Sequence, residues 1–208
     1  MSRHLTNPEG AGFRRHYHEQ GPEGYYLAHA GDYRNPHEAA VAACLDYAVD
    51  VWASMRDGIQ FGKVLDLAAG GGEATRAILR RYPSSQIEAM DPYTNKLYQQ
   101  RTGRACLPIS FEQIAREEHL LGPYGCVICS CALHLVGPSW LPRLCLALAR
   151  ASRDLLVLSP ITRPHIRPGW GWRLLQEMAF TCEDHRIRIR WYRREQDEPS
   201  VVSTHSGS

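Results

Sequence analysis

The sequence predicts an α/β fold: a doubly wound, mostly parallel sheet with helices on both faces and an antiparallel edge near the C-terminus. Three observations lead there. From Lys63 onward, short apolar runs alternate with helical segments, the pattern of βαβ units feeding a parallel sheet. The first of these runs, Val64-Leu65-Asp66-Leu67, enters a turn of tiny residues, Ala68-Ala69-Gly70-Gly71-Gly72, and a helix starts at once. The last, His185-Arg186-Ile187-Arg188-Ile189-Arg190-Trp191-Tyr192, alternates through most of its length, as a half-exposed antiparallel strand near the sheet edge does. With 208 residues, 44% hydrophobic and 22% charged, the chain holds one domain with a full core.

Taken in order, residues 1–24 are polar and rich in Gly, Pro, His and Arg, and read as a flexible lead-in. The domain spans 25–193, and 194–208 reads as a flexible tail. Order begins with a short helix near Tyr25–His29. Asn35 then reads as a helix N-cap, Pro36 as the first helical residue and Glu38 as the partner of a capping box. Val41, Cys44, Leu45, Ala48, Val51, Trp52 and Met55 recur at spacings of three and four, one apolar helix face. Strands follow at 64–67, 86–90, 105–107 (weak), 126–130 and 155–158. Helices are expected at 73–82, 94–103, 111–119, 140–151 and 170–180, the last with Leu174, Leu175 and Met178 inward. The partner of the 185–192 strand is either 179–182 or 201–203.

The tiny-residue turn is where chemistry concentrates. Glycine and alanine allow backbone to approach a ligand closely, and the helix behind them presents unpaired N–H groups. Asp91 ends the second strand, nineteen residues after Gly72, where an acid can accept both hydroxyls of a ribose. A nucleoside site follows. A pyridine dinucleotide fits it poorly: aligned as Gly70-x-Gly72-x-x-Thr75, the third glycine is missing. Asp66 would also repel a pyrophosphate, whereas an ammonium or sulfonium would be attracted.

The pattern Asp66-x-Ala68-x-Gly70-x-Gly72 closely resembles the first motif of class I, Rossmann-like S-adenosylmethionine-dependent methyltransferases. The resemblance covers roughly residues 33–192. It departs in Ala68, where the family usually has glycine, and in Tyr124-Gly125-Cys126, where many members begin the strand with an acid. It implies S-adenosylmethionine as cofactor, with Asp66, Ala68, Gly70 and Gly72 around its methionine end and sulfonium. Asp91 and Pro92 would meet the ribose, Ser110 and Phe111 the adenine, and Ser130 the cofactor side of its strand. Phe111 is equally readable as a core residue. Tyr33 and Arg34 fall where many small members fold a lid over the cofactor, with Arg34 either on the cofactor carboxylate or at the surface.

His134, just past the strand in Ser130-Cys131-Ala132-Leu133-His134, borders the place of the transferred methyl in that family. Two readings are open for it: a base for an O–H or N–H nucleophile, or a histidine bonded to nearby backbone. Methyl transfer from a sulfonium can also proceed by alignment alone. The 163–172 segment, with two tryptophans, a histidine and two arginines, reads either as a wall for a planar or anionic substrate or as an anchor that buries its indoles. Cys126, Cys129 and Cys131 do not read as metal ligands, because strand alternation turns Cys126 away from the other two and no second pair stands at zinc spacing.

A net charge of +2 is too small to imply nucleic-acid or membrane partners. No run of eighteen apolar residues occurs, and the N-terminus lacks a signal-peptide core. Seven cysteines, an odd number set in apolar segments, suit the cytoplasm. A small molecule is the expected acceptor, since little sequence lies outside the core domain. Two rivals stay open: a non-catalytic nucleoside-binding partner subunit, and an RNA or protein methyltransferase using the arginines of the 185–194 strand.

Overall fold

The computed structural model describes residues 35–119, 122–182 and 185–195. Within them, six strands form one sheet: β1 (Lys63–Leu67), β2 (Gln86–Met90), β3 (Tyr124–Ser130), β4 (Ser152–Ser159), β5 (Trp172–Cys182) and β6 (His185–Arg194). Their spatial order is β2-β1-β3-β4-β6-β5. The first four are parallel, and β6 runs antiparallel between β4 and β5. The predicted doubly wound α/β sheet is therefore present, with its antiparallel part at the C-terminal end of the chain.

Alternation along the strands divides the core into two layers. Val64, Cys126, Ile128, Leu156 and Leu158 face α1 (Glu38–Tyr47) and α2 (Glu73–Arg81). Leu65, Leu67, Val127, Cys129, Leu155 and Val157 face α4 (Phe111–Ala115) and α5 (Leu141–Ala151). The shorter α3 (Asn95–Thr102) packs Tyr98 against Ala69 and Ala89. β3 and β4 are largely apolar on both faces because each face is covered. In α2, Glu73 begins and Arg80 and Arg81 end the helix, matching its dipole. The same arginines pair across to α1 and the turn that follows it, Arg80 with Asp46 at 2.8 Å and Arg81 with Asp50.

Several elements differ from expectation. Asn35 is not an N-cap: its Oδ1 accepts from His37 N at 2.9 Å, a turn bond, and α1 starts only at Glu38. No capping box forms there, because Glu38 reaches Arg76 instead. Beyond α1, Ala48–Trp52 forms a π-helical turn. Its extra residue rotates the apolar stripe, so Val49 is buried while Val51 and Met55 are exposed. The weak third strand is only a bridge between Met90 and Leu107. α4 stops at Ala115, with Glu117 in the left-handed region.

The largest correction lies at 170–180, which is strand β5 and not a helix. Leu174 is 47% exposed and Met178 40%, so the helical spacing of these residues buries nothing. The hydrogen-bonding edge of β6 decides the outcome: from Trp172↔Arg194 to Cys182↔His185 the two strands pair, with one irregularity between Leu174 and Gln176. β6 lies one strand in from the sheet edge, between β4 and β5, and of the two partners left open it is the 179–182 segment, with the residues before it, that pairs with it. Its arginines are largely consumed. Arg190, 1% exposed, donates through Nε to Glu177 at 2.6 Å and through Nη2 to the Thr162 carbonyl at 2.8 Å. Arg188 pairs with Glu177, and Arg193 with Asp154 and Asp57. Only Arg186 and Arg194 remain exposed on this strand. Among the described residues, no helix is long and apolar enough to cross a membrane.

Candidate functional site

Above Leu67 the chain takes left-handed backbone at every second residue: Ala68 (φ 56°), Gly70 (φ 58°) and Gly72 (φ 81°). Ala68 bears a Cβ in a conformation that costs an L residue roughly 1–2 kcal/mol, so this turn holds backbone strain. At Gly72 a Cβ would stand 2.4 Å from Thr102 Cγ2, so this glycine serves the close approach of α2 to α3. The turn is tied down from β2. Ala69 N donates to the Met90 carbonyl at 3.1 Å, and Gly70 N to Asp91 Oδ2 at 3.1 Å. Asp91 Oδ1 accepts from Tyr93 N at 2.9 Å and Thr94 N at 2.8 Å. Three of the roughly four lone-pair positions of that carboxylate are thus used by backbone, which leaves Oδ2 one more bond to accept.

A cleft opens at the C-terminal ends of β1, β2 and β3. This is the end at which open α/β sheets bind ligands. Of the residues singled out in the sequence, Ala68, Gly70, Asp91, Pro92, Ser110, Phe111 and Ser130 all line it. Ser110 also caps α4 in a complete capping box with Gln113, which fixes the adjoining Phe111 at the helix start. Asp66 and Gly72 stand behind the turn and do not line the cleft. His134 lies beside it, between the lining residues Ala132 and Leu135. Tyr33 and Arg34 fall outside the described residues.

Sequence reasoning missed Asn35, Glu73, Tyr93, Thr94, Ile109, Glu112 and Cys131 as lining residues. Glu73 was detectable: an acid in the first helical turn after a glycine run must lie near whatever the glycines cradle. Its Oε2 accepts from Gly71 N at 3.0 Å, and burial pushes its carboxyl above the usual range. Cys131 was predicted to share a face with Cys129. Instead the strand ends at Ser130, Cys131 turns left-handed (φ 56°), and it packs with the layer that holds Cys126. Among the described residues, no group of His, Cys, Asp or Glu is arranged to hold a metal ion. The 163–172 loop contributes nothing to the cleft. Its second tryptophan anchors a strand, with Trp172 buried and Nε1 donating to the Cys145 carbonyl at 2.8 Å.

Asp66 is buried beneath the turn. Its Oδ2 accepts from Thr75 N at 3.1 Å and Thr75 Oγ1 at 2.7 Å, and that hydroxyl also meets Tyr98 Oη at 2.9 Å. Its Oδ1 is buried with no hydrogen-bond partner among the described residues. Burial first, then the negative neighbours Glu73 and Asp91, push the carboxyl up to about 7, against the hydrogen bonds from Thr75. The folded state therefore holds this proton more tightly than the unfolded chain. The stability it contributes is complete below the ordinary value of 3.8 and is lost as pH rises towards about 7. Urea unfolding between about pH 5 and pH 7 should show wild-type stability falling by up to about 1.4 kcal/mol per pH unit more steeply than Asp66→Asn. Parallel profiles would refute the assignment.

The cleft carries three acids, Glu73, Asp91 and Glu112, and no lysine or arginine among its described lining residues. Its potential therefore suits a ligand with positive charge and opposes a pyrophosphate. The chain has the fold of the class I S-adenosylmethionine-dependent methyltransferases. Magnesium protoporphyrin IX methyltransferase (ChlM) from Synechocystis PCC 6803, solved with bound SAM, superposes with a TM-score of 0.58 at 14% identity, covering 93% of this chain and all of that one. The N-methyltransferase NodS from Bradyrhizobium japonicum WM9, in complex with S-adenosyl-l-homocysteine, gives 0.57 at 13% identity over 88% of this chain and 98% of that one. No family model matches the chain. The uncharacterized protein C17A5.05c of Schizosaccharomyces pombe (strain 972 / ATCC 24843) is 32% identical over 199 residues, 76% of this chain and 78% of the relative. The chain belongs to the same family as that fission-yeast protein.

Proposed function

We propose that this protein is an S-adenosylmethionine-dependent methyltransferase acting on a small molecule. The observation that carries the reading is the acid-lined cleft at the strand ends, built around a left-handed Ala68–Gly72 turn tied to Asp91. When bound, S-adenosylmethionine supplies a methyl group activated on a positively charged sulfur. Asp91 Oδ2 accepts from a ribose hydroxyl, Phe111 covers the adenine face, and Ser110 and Ser130 border it. Ala68 and Gly70 let the backbone approach the methionine end. Glu73 lies near enough to favour its ammonium, and Asp66 braces the turn from below through Thr75. His134, beside the cleft, takes the proton of the acceptor, and burial lowers its pKa so that the ring is neutral at pH 7.

The experiment is calorimetric titration of the folded protein with S-adenosylmethionine and, separately, NAD. Saturable binding of the first and none of the second is expected. Absence of S-adenosylmethionine binding would overturn the reading, and NAD binding in its place would return the chain to the dinucleotide class.

A further inference from the structure

Asn35 lines the cleft, and its side-chain amide has one end committed and one end free. Pro36 behind it disfavours helical backbone at Asn35, so α1 opens only after this residue. The residue is 9% exposed. Its Oδ1 accepts from His37 N at 2.9 Å, which fixes the amide and leaves Nδ2 as the remaining donor. Nδ2 makes no hydrogen bond among the described residues, yet it is not sealed away as Nδ1 of His37 is. The residues that follow place it. The Asn35 carbonyl accepts from Glu38 N at 3.1 Å, Glu38 pairs with Arg76, and Arg76 Nη1 donates to the Gly71 carbonyl at 3.1 Å. Asn35 is thereby tied to the Gly70–Glu73 end of the cleft, the end proposed for the cofactor's methionine part.

The backbone of the turn has its own donors spent. Each peptide group carries one N–H. Those of Ala69, Gly70, Gly71 and Gly72 go to the Met90 carbonyl, Asp91, Glu73 and the Ala69 carbonyl in turn. Thr75 N is likewise used by Asp66. A methionine end carries an ammonium and a carboxylate. Glu73 favours the first and opposes the second, and a carboxylate drawn out of water needs hydrogen bonds to its oxygens. Resting on the methyl-transfer reading, we propose that Nδ2 of Asn35 donates to the carboxylate of the cofactor's methionine end, and so makes the cleft select ligands that carry this group. An amide suits the task. It is neutral, so it neither draws Glu73 away from the ammonium nor changes its charge with pH. With Oδ1 held by His37 N, the N–H₂ end is also oriented before the ligand arrives. Arg76 and Glu38 are positioning residues here, because they tie the segment that carries Asn35 to the glycine turn.

Asn35→Asp separates the two ends of the amide. Aspartate keeps an oxygen to accept from His37 N and replaces the donating N–H₂ with a second acceptor. Calorimetry on the full-length protein compares S-adenosylmethionine with its decarboxylated analogue, which retains the sulfonium and the ammonium and lacks only the carboxylate. Wild type should favour S-adenosylmethionine by at least about tenfold. Asn35→Asp should weaken S-adenosylmethionine by at least about tenfold and leave the decarboxylated analogue within about twofold. Thermal melts establish that the variant is folded, and Asn35→Ala takes its place in the comparison if it is not. A wild type indifferent to the carboxylate overturns the proposal while cofactor binding stands. A folded variant that weakens both ligands alike, or neither, does the same. Failure of wild type to bind either ligand overturns the methyl-transfer reading beneath it instead.

Discussion

Asp91→Ala is expected to weaken S-adenosylmethionine binding by about 100-fold. The carboxylate does two jobs. It faces the cleft with one unused lone-pair position, and it holds Gly70 N, Tyr93 N and Thr94 N by charge-assisted bonds of 3.1, 2.9 and 2.8 Å. Bonds of that kind contribute about 1.5–3 kcal/mol each, so losing the ligand's bond and slackening the turn together account for about two decades. Asp91→Asn keeps one carbonyl oxygen and should fall between wild type and alanine. Calorimetry at one pH, with thermal melts to establish folding, decides the matter. An alanine variant that binds as tightly as wild type would remove Asp91 from the site.

The second large effect concerns stability. Asp154→Ala should destabilise the fold by about 3 kcal/mol, read as a shift of the urea midpoint at constant slope. Asp154 is fully buried in β4, and its Oδ1 accepts from Trp191 Nε1 and Arg193 Nε, each at 2.7 Å. Alanine leaves a buried indole N–H unpaired and strips Arg193 of its inner partner, with the exposed Asp57 left to meet it among the described residues. Asp154 pairs in register with Cys126, near the start of β3, whereas the cleft opens at the other end of the strands. S-adenosylmethionine affinity of the folded variant should therefore be unchanged, which separates this effect from that of Asp91. A midpoint that does not move would show that Trp191 and Arg193 find other partners.

What was legible in the sequence is what depends on neighbours along the chain. The apolar run before Ala68, the glycines and the acid ending β2 each state their own geometry, so the turn and much of the cleft lining could be named. What was hidden depends on distant partners. The 172–182 segment has the spacing of a helix, and only the edge of β6 makes it a strand. Arg190 reads as a surface charge until Glu177 and the Thr162 carbonyl are placed around it. The π-helical turn at Ala48–Trp52 shifts which residues reach the core, and no local pattern announces it.

The position of β6 also bears on how the molecule is made. β4 ends at Ser159, yet its neighbour in the sheet is the last strand of the described chain, His185–Arg194. During synthesis the half of the sheet from β2 to β4 can assemble while β4 still presents an open edge. Trp191, which packs on Trp52 and seals the layer over α1, then arrives late. A nascent chain whose β4 has left the ribosome before β6 would hold a nearly finished cleft and an unfinished flank, the kind of intermediate that pairs with a neighbouring chain if its own last strand is delayed.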